Sequence, residues 1–187
     1  MVGTVPSLGH VAVGMAAGRL YAGRGAGARR LLKATVAFSL VSVLPDADVI
    51  AFALRIPYQA PFGHRGASHS FAVALMLGLV ALASARWLKL EPSKLALSVV
   101  LVAASHGVLD TFTDGGLGCA LLWPFSKARF FSSFRPIPVA PIGARLWSAR
   151  GLSVFGAELG LFAPFWLYAL WPRRGEPSRP RQGASPR

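Results

Sequence analysis

Four apolar runs set the terms on which this chain can fold. Leu31–Leu54, Ser70–Leu90, Leu95–Phe112 and Leu152–Trp171 each come near or reach the length of about 20 mainly apolar residues that a helix needs to cross a bilayer. Pro45 interrupts the first run near its end, and Pro164 lies inside the last, where it kinks or breaks a helix. A fifth run, Leu8–Tyr21, is shorter and rich in Gly and Ala, which suits a tilted or partly embedded helix in close contact with others. The expected fold is all-α, a polytopic membrane bundle of four to five helices with an irregular interfacial segment.

The balance of charge supports that class. Only 14% of the 187 residues are charged and 53% are hydrophobic, against roughly 25% charged in ordinary soluble domains. The 20 Lys and Arg outnumber the 7 Asp and Glu. They lie between the apolar runs and in the tail instead of forming one stripe, so membrane lipids are the expected partners and no specific nucleic-acid partner is expected. The Gly-rich basic loop YAGRGAGARR, Tyr21–Arg30, has neither the preceding strand nor the Lys-Ser/Thr of a phosphate-binding loop; it fits a loop touching anionic headgroups. Cys119 stands alone, excludes an internal disulfide and reads as a packing residue. The first twenty residues lack the basic start of a cleaved signal peptide.

No internal repeat is visible, and one domain is expected. Residues 1–172 form a membrane-embedded helical unit, and 173–187 form a basic, disordered tail. Within the unit, Leu121–Arg150 carries aromatics, basic residues and the run RPIPVAPIG, with Trp123 and Trp147 placed near headgroup depth. If the 19–33 loop, the 86–94 loop and the tail are cytoplasmic, they hold 13 of the 20 basic residues. That orientation gathers four helix ends at the outer face. They are the start of the Leu8 run, the end of the Leu31 run, the start of the Ser70 run and the end of the Leu95 run.

Those ends carry all four histidines and all four aspartates of the chain. His10 begins the first; LPDAD supplies Asp46 and Asp48; HRGASHS supplies His64, Arg65 and His69; SHGVLD supplies His106 and Asp110, with Thr111 and Asp114 just beyond. The three glutamates lie elsewhere. Ionisable groups at membrane depth are costly and mark function or a partner. His106 and Asp110, spaced i, i+4, project from one side of a helix. Asp46 and Asp48 share a side in extended backbone after Pro45 and diverge in a helix, in which case one supports the site from behind. His64 precedes the Ser70 helix. His69 occupies its first turn with Ser68 as N-cap, as a ligand or as a group that orients one.

Imidazole with carboxylate suits a divalent metal, zinc first, with manganese or iron as alternatives. The metal candidates are His10, Asp46, His64, His106 and Asp110; Asp48, His69 and Arg65 are candidates for catalytic work beside them. Such a metal lowers the pKa of bound water from 15.7 to roughly 7, for attack on a phosphoryl or acyl centre. Arg65 either pairs with an anionic phosphate through its planar fork or sits among the headgroups. Asp114, among glycines, reads as a turn residue, and Ser70 and Thr111 as capping or packing groups.

LPDAD, HRGASHS, SHGVLDTFTDGG and the following LLWPFS together resemble the YdjM-like family of bacterial inner-membrane proteins, described as predicted metal-dependent hydrolases. The resemblance runs from about His10 to Phe131. It implies a multi-pass protein of the inner membrane. The family is similar in ligand order to the zinc-dependent phospholipase C and P1-nuclease group, which cleaves phosphodiesters with a zinc cluster. That order would fall on His10, Asp46 or Asp48, His64, His106 and Asp110. The chain lacks the further histidines and the second His-x-x-x-acid pair of a trinuclear site, so one or two ions are expected. The leading expectation is a membrane-embedded hydrolase acting on a phosphoester or phospholipid. A metal-binding or transport protein without catalysis is the alternative, although transporters place polar sites near the midplane and are built from repeats.

Overall fold

The computed structural model describes residues 8–139 and 147–172. The 173–187 tail and the end of the RPIPVAPIG run lie outside them. Among the described residues the chain is helical, and its only extended pairings are two isolated bridges. In chain order come α1 (Leu8–Ala22), α2 (Ala28–Val43), a 3-10 turn (Leu44–Val49), α3 (Ile50–Ala53), a second 3-10 turn (Ala67–His69), α4 (Phe71–Ser84), α5 (Pro92–Thr111), α6 (Ala149–Leu161) and α7 (Ala163–Leu170).

Two stretches, Ala28–Ala53 and Pro92–Thr111, are each long and apolar enough to cross a membrane. The other two expected spans depart from regularity for local reasons. The Leu152–Trp171 run is two helices bent by 69°, because Pro164 lacks the N–H that a continuous helix would require. The Ser70–Leu90 run yields only the 14 residues of α4, about 21 Å of helix against a hydrocarbon core of ~30 Å. Turns occupy 85–89, where Arg86 and Lys89 interrupt the apolar pattern. The N-cap of α4 is Ser70, whose Oγ accepts from the Val73 amide at 3.2 Å. Ser68, the expected cap, is used elsewhere, and His69 precedes the helix within the 3-10 turn.

The short Leu8 run forms a full helix held tightly against α2. A Cβ at Gly14 would stand 2.6 Å from the Ser39 Cα, and one at Gly18 would stand 2.5 Å from the Thr35 Cα. Small residues four apart therefore let the two backbones touch. Helix α4 packs on α5, and α7 on α1. The outward faces are apolar: Leu40, Leu79 and Leu101 are each more than half exposed. The interior is the reverse, since its largest fully buried side chains are Arg65, the four histidines and Glu158. An apolar outside around a polar inside is what lipid as solvent selects.

The expected interfacial segment after α5 is described up to Val139. It folds back over the ends of the helices through bridges of Thr113 with Ile137 and Cys119 with Phe130. Cys119 is fully buried and unpaired. Burial pushes its thiol pKa up, in keeping with a packing role. Trp147 is largely exposed, and Trp123 meets the ring of Phe62 edge-on.

Candidate metal centre

The site lies where the start of α1, the 3-10 turn after α2, the segment before α4 and the end of α5 converge. Each side chain arrives for a local reason. In the 3-10 turn that Pro45 opens, Asp46 and Asp48 point to different partners. One helical turn within α5 separates His106 from Asp110, and both are fully buried. Arg65 adopts a left-handed backbone, φ 58, which few non-glycine residues do without support. The support is explicit: the Arg65 amide donates to Asp48 Oδ2 at 3.0 Å, and its carbonyl accepts from the Ala120 amide and the Arg129 guanidinium.

Four donor atoms converge. His69 Nε2 and His106 Nε2 are 3.1 Å apart. Asp46 Oδ1 stands 3.5 Å from the first and 3.4 Å from the second, and Asp110 Oδ2 stands 3.3 Å and 3.9 Å from them. Ligands at 2.0–2.2 Å around a tetrahedral zinc are separated by about 3.3–3.6 Å. Five of the six separations thus lie between 3.1 and 3.9 Å, near the edge lengths of such a tetrahedron.

Their lone pairs also face inward. His106 Nδ1 lies 2.7 Å from the Ser42 carbonyl, which can only accept, so that nitrogen carries the hydrogen and Nε2 is left bare. His69 Nδ1 faces Asp48 Oδ2 at 3.2 Å, with the same consequence for its own Nε2. Asp46 Oδ1 is buried and accepts no hydrogen bond among the described residues. Bare nitrogens and carboxylate oxygens packed this closely repel one another unless a cation lies between them. Of the three carboxylates, only Asp110 is in direct contact with a guanidinium, that of Arg65, while Arg129 acts on Asp48 from farther away, so with neutral imidazoles the cluster keeps an excess of negative charge. The pKa of His69 responds to this: burial opposes its charged form, but the carboxylates of Asp110, Asp46 and Asp48 outweigh burial and raise it well above the ordinary value. The same excess of negative charge that holds a proton on His69 would also attract a divalent ion.

The remaining candidates surround those four. Asp48 receives His64 Nδ1 at 2.5 Å and the Ser68 hydroxyl at 2.5 Å, in addition to His69 and the Arg65 amide. His64 is boxed by the rings of Phe52 and Tyr58, and with Asp46 and Asp48 it makes a second set of donor atoms within 4.8 Å of one another. His10 is outside both sets: its Nε2 lies 3.1 Å from Asp110 Oδ1, and its ring stacks 3.8 Å over His106. Arg65 does not sit among the headgroups. It is fully buried, with Nε 3.0 Å from Asp110 Oδ2 and Nη1 on Thr113 Oγ1 and the Gly115 carbonyl. Asp110 is therefore gripped by His10 and Arg65 from two sides. Thr111 bonds back to the Val108 carbonyl within its own helix. Asp114 is a turn residue, as expected, and accepts from the Val139 amide.

The family model for the YdjM inner membrane protein matches residues 5–174. The chain belongs to that family. It is also 36% identical over 122 residues to the inner membrane protein YbcI of Escherichia coli strain K12, covering 64% of this chain and 70% of that protein. No solved structure matches. Family and relative are inner membrane proteins by description, in agreement with the membrane-length helices.

Two contributors escaped the sequence reading. Arg129 donates to five carbonyls, those of Tyr58, Ala60, His64, Arg65 and Gly118, and so fastens the HRGASHS segment to the loop above it. Glu158, fully buried on α6, accepts from the amides of Leu8 and Gly9 at 2.8 and 2.9 Å and caps α1 one residue before His10. Neither belongs to a motif. The only available signal for Glu158 was a carboxylate set alone within an apolar run.

Proposed function

We propose that this protein is a membrane-embedded, metal-dependent hydrolase acting on a phosphoester or phospholipid. In this reading Asp46, His69, His106 and Asp110 hold one divalent ion, zinc by the chemistry of the donors. The observation that carries it is the convergence of four inward-facing donors at 3.1–3.9 Å. When bound, zinc polarises a phosphoryl oxygen and lowers the pKa of a coordinated water towards 7.

The residues of the chain do the rest. Asp48 fixes the tautomer of His69 and holds the His64 ring, the role that carboxylates commonly play behind metal-binding histidines. His10 and Arg65 hold Asp110 in place. Arg65 Nη2 is buried and makes no hydrogen bond among the described residues, an unpaired donor that a phosphoryl oxygen would satisfy on reaching the site. Asp46 and Asp48 keep about a tenth of their side-chain surface exposed, and they mark the edge from which substrate and water enter. The excess of Lys and Arg at the opposite helix ends supports an outer-face position for this edge in a multi-pass arrangement.

One observation favours a second reading, a metal-binding protein without catalysis. The four donors complete a tetrahedron and are almost wholly buried, and closed sites are the structural kind. Purification in detergent, measurement of bound metal, and assay of phosphodiester and phospholipid hydrolysis separate the two. The hydrolase reading expects metal in the wild type and loss of both metal and turnover in His106→Ala and Asp110→Ala. Metal loss with no hydrolysis of any substrate by the wild type would establish the second reading. A metal-free wild type would end both.

A further inference from the structure

At the end of the bundle away from the metal centre, a groove of about 670 Å³ opens between the start of α2 and the α4–α5 connection. Its walls are Ala34, Ala37, Phe38, Leu88 and Leu95, and its rim is Arg29, Arg30 and Lys33. We infer that this groove binds one anionic phospholipid, with its phosphate on the three cations and an acyl chain along the apolar wall. The inference is independent of the hydrolase reading, since the two sites occupy opposite ends of the same helices.

Three observations support it. Arg29 and Lys33 are i, i+4 and Arg30 and Lys33 are i, i+3, so the cations share one face of α2, directly above Ala34 and Ala37. Their charge is not cancelled internally: among the described residues none of the three is in an ion pair. The carboxylate at the start of α5, Glu91, is taken up capping the amides of Ser93 and Lys94, and the Lys94 ammonium is held on the Tyr21 carbonyl and ring. An occupant must therefore be anionic at one end and apolar along its length. Guanidinium pairs suit a phosphate oxyanion, and basic pockets between membrane helices take acidic headgroups. The volume is that of a ligand site and not of a packing defect, which would be a small fraction of the ~300–1,000 Å³ typical of such sites.

Native mass spectrometry of the detergent-purified full chain, titrated with phosphatidylglycerol or phosphatidylcholine, tests the inference. The wild type is expected to retain one phosphatidylglycerol in preference to phosphatidylcholine. Arg29→Gln with Arg30→Gln is expected to weaken that retention on the order of 25-fold, about fivefold per charge. Removing the same charge outside the groove, by Arg24→Gln with Arg86→Gln, is expected to change it less than threefold. Ala37→Trp fills the groove without altering charge and is expected to weaken retention as well. Circular dichroism confirms that each variant is folded. Equal binding of the two lipids, equal losses in the two charge pairs, or displacement of the lipid by inorganic phosphate alone would overturn the inference.

Discussion

Asp48→Asn is the substitution that best separates the two aspartates of LPDAD. Asp48 touches none of the four converging donors' common centre; it acts through His69 Nδ1 and His64 Nδ1, while the Arg65 amide and Ser68 hydroxyl fix its own position. An asparagine keeps the shape and one carbonyl oxygen but loses the charge that makes the imidazoles better donors. Partners of metal-binding histidines typically contribute 10–100-fold to metal affinity, which corresponds to about 1.4–2.8 kcal/mol. Asp46→Asn replaces a charged ligand by a neutral amide oxygen and removes one of the negative charges the ion would neutralise, so its effect is expected to exceed the upper end of that range. Competition for zinc between detergent-purified protein and a chromophoric chelator gives both values, with metal content after gel filtration as a second readout. The expected order is wild type, then Asp48→Asn weakened but still loaded, then Asp46→Asn empty. Equal losses, or a larger loss in Asp48→Asn, would refute the assignment of Asp46 to the ion and Asp48 to its histidines.

Three further outcomes follow from the geometry. Gly14→Ala should lower stability by about 1–3 kcal/mol, read as a fall in thermal midpoint in detergent, because its methyl would meet the Ser39 backbone and no side chain can give way. Arg129→Ala should destabilise by about 2 kcal/mol and open the 57–66 segment to protease, since several part-buried carbonyls lose their donor together. Metal affinity should rise with pH across the neutral range: the raised pKa of His69 means that a proton occupies the site at low pH, is lost as pH rises through that pKa, and must leave before an ion enters. A pH-independent zinc affinity between pH 6 and 8.5 would contradict that competition.

The sequence was informative where chemistry repeats and silent where one contact decides. The gathering of His10, LPDAD, HRGASHS and SHGVLD at one end of the bundle could be read from segregation alone, because charged residues in apolar runs have few places to go. The i, i+4 relation of His106 and Asp110 was legible for the same reason. The sorting of His64 and His69 was not. It depends on a left-handed turn at Arg65 and a 3-10 turn at Ala67–His69, which bring His69 into the four-donor group and set His64 against Asp48. Periodicity also overstated α4, since hydrophobicity continues past Ser84 while the helix does not. Arg129 reaches back as far as 71 residues and Glu158 as far as 150, and no local pattern encodes such a meeting.

The Glu158 cap has a consequence for biogenesis. It ties the first helix to one that emerges from the ribosome some 150 residues later. Until α6 arrives, the first amides of α1, just before the His10 that contacts Asp110, lack their acceptor. The last support of the helix that carries His10 is therefore supplied only by a fully inserted chain, and incomplete products of synthesis or insertion would carry every residue of the donor set without it. If the centre holds a metal as proposed, metal content would also measure whether the bundle has closed.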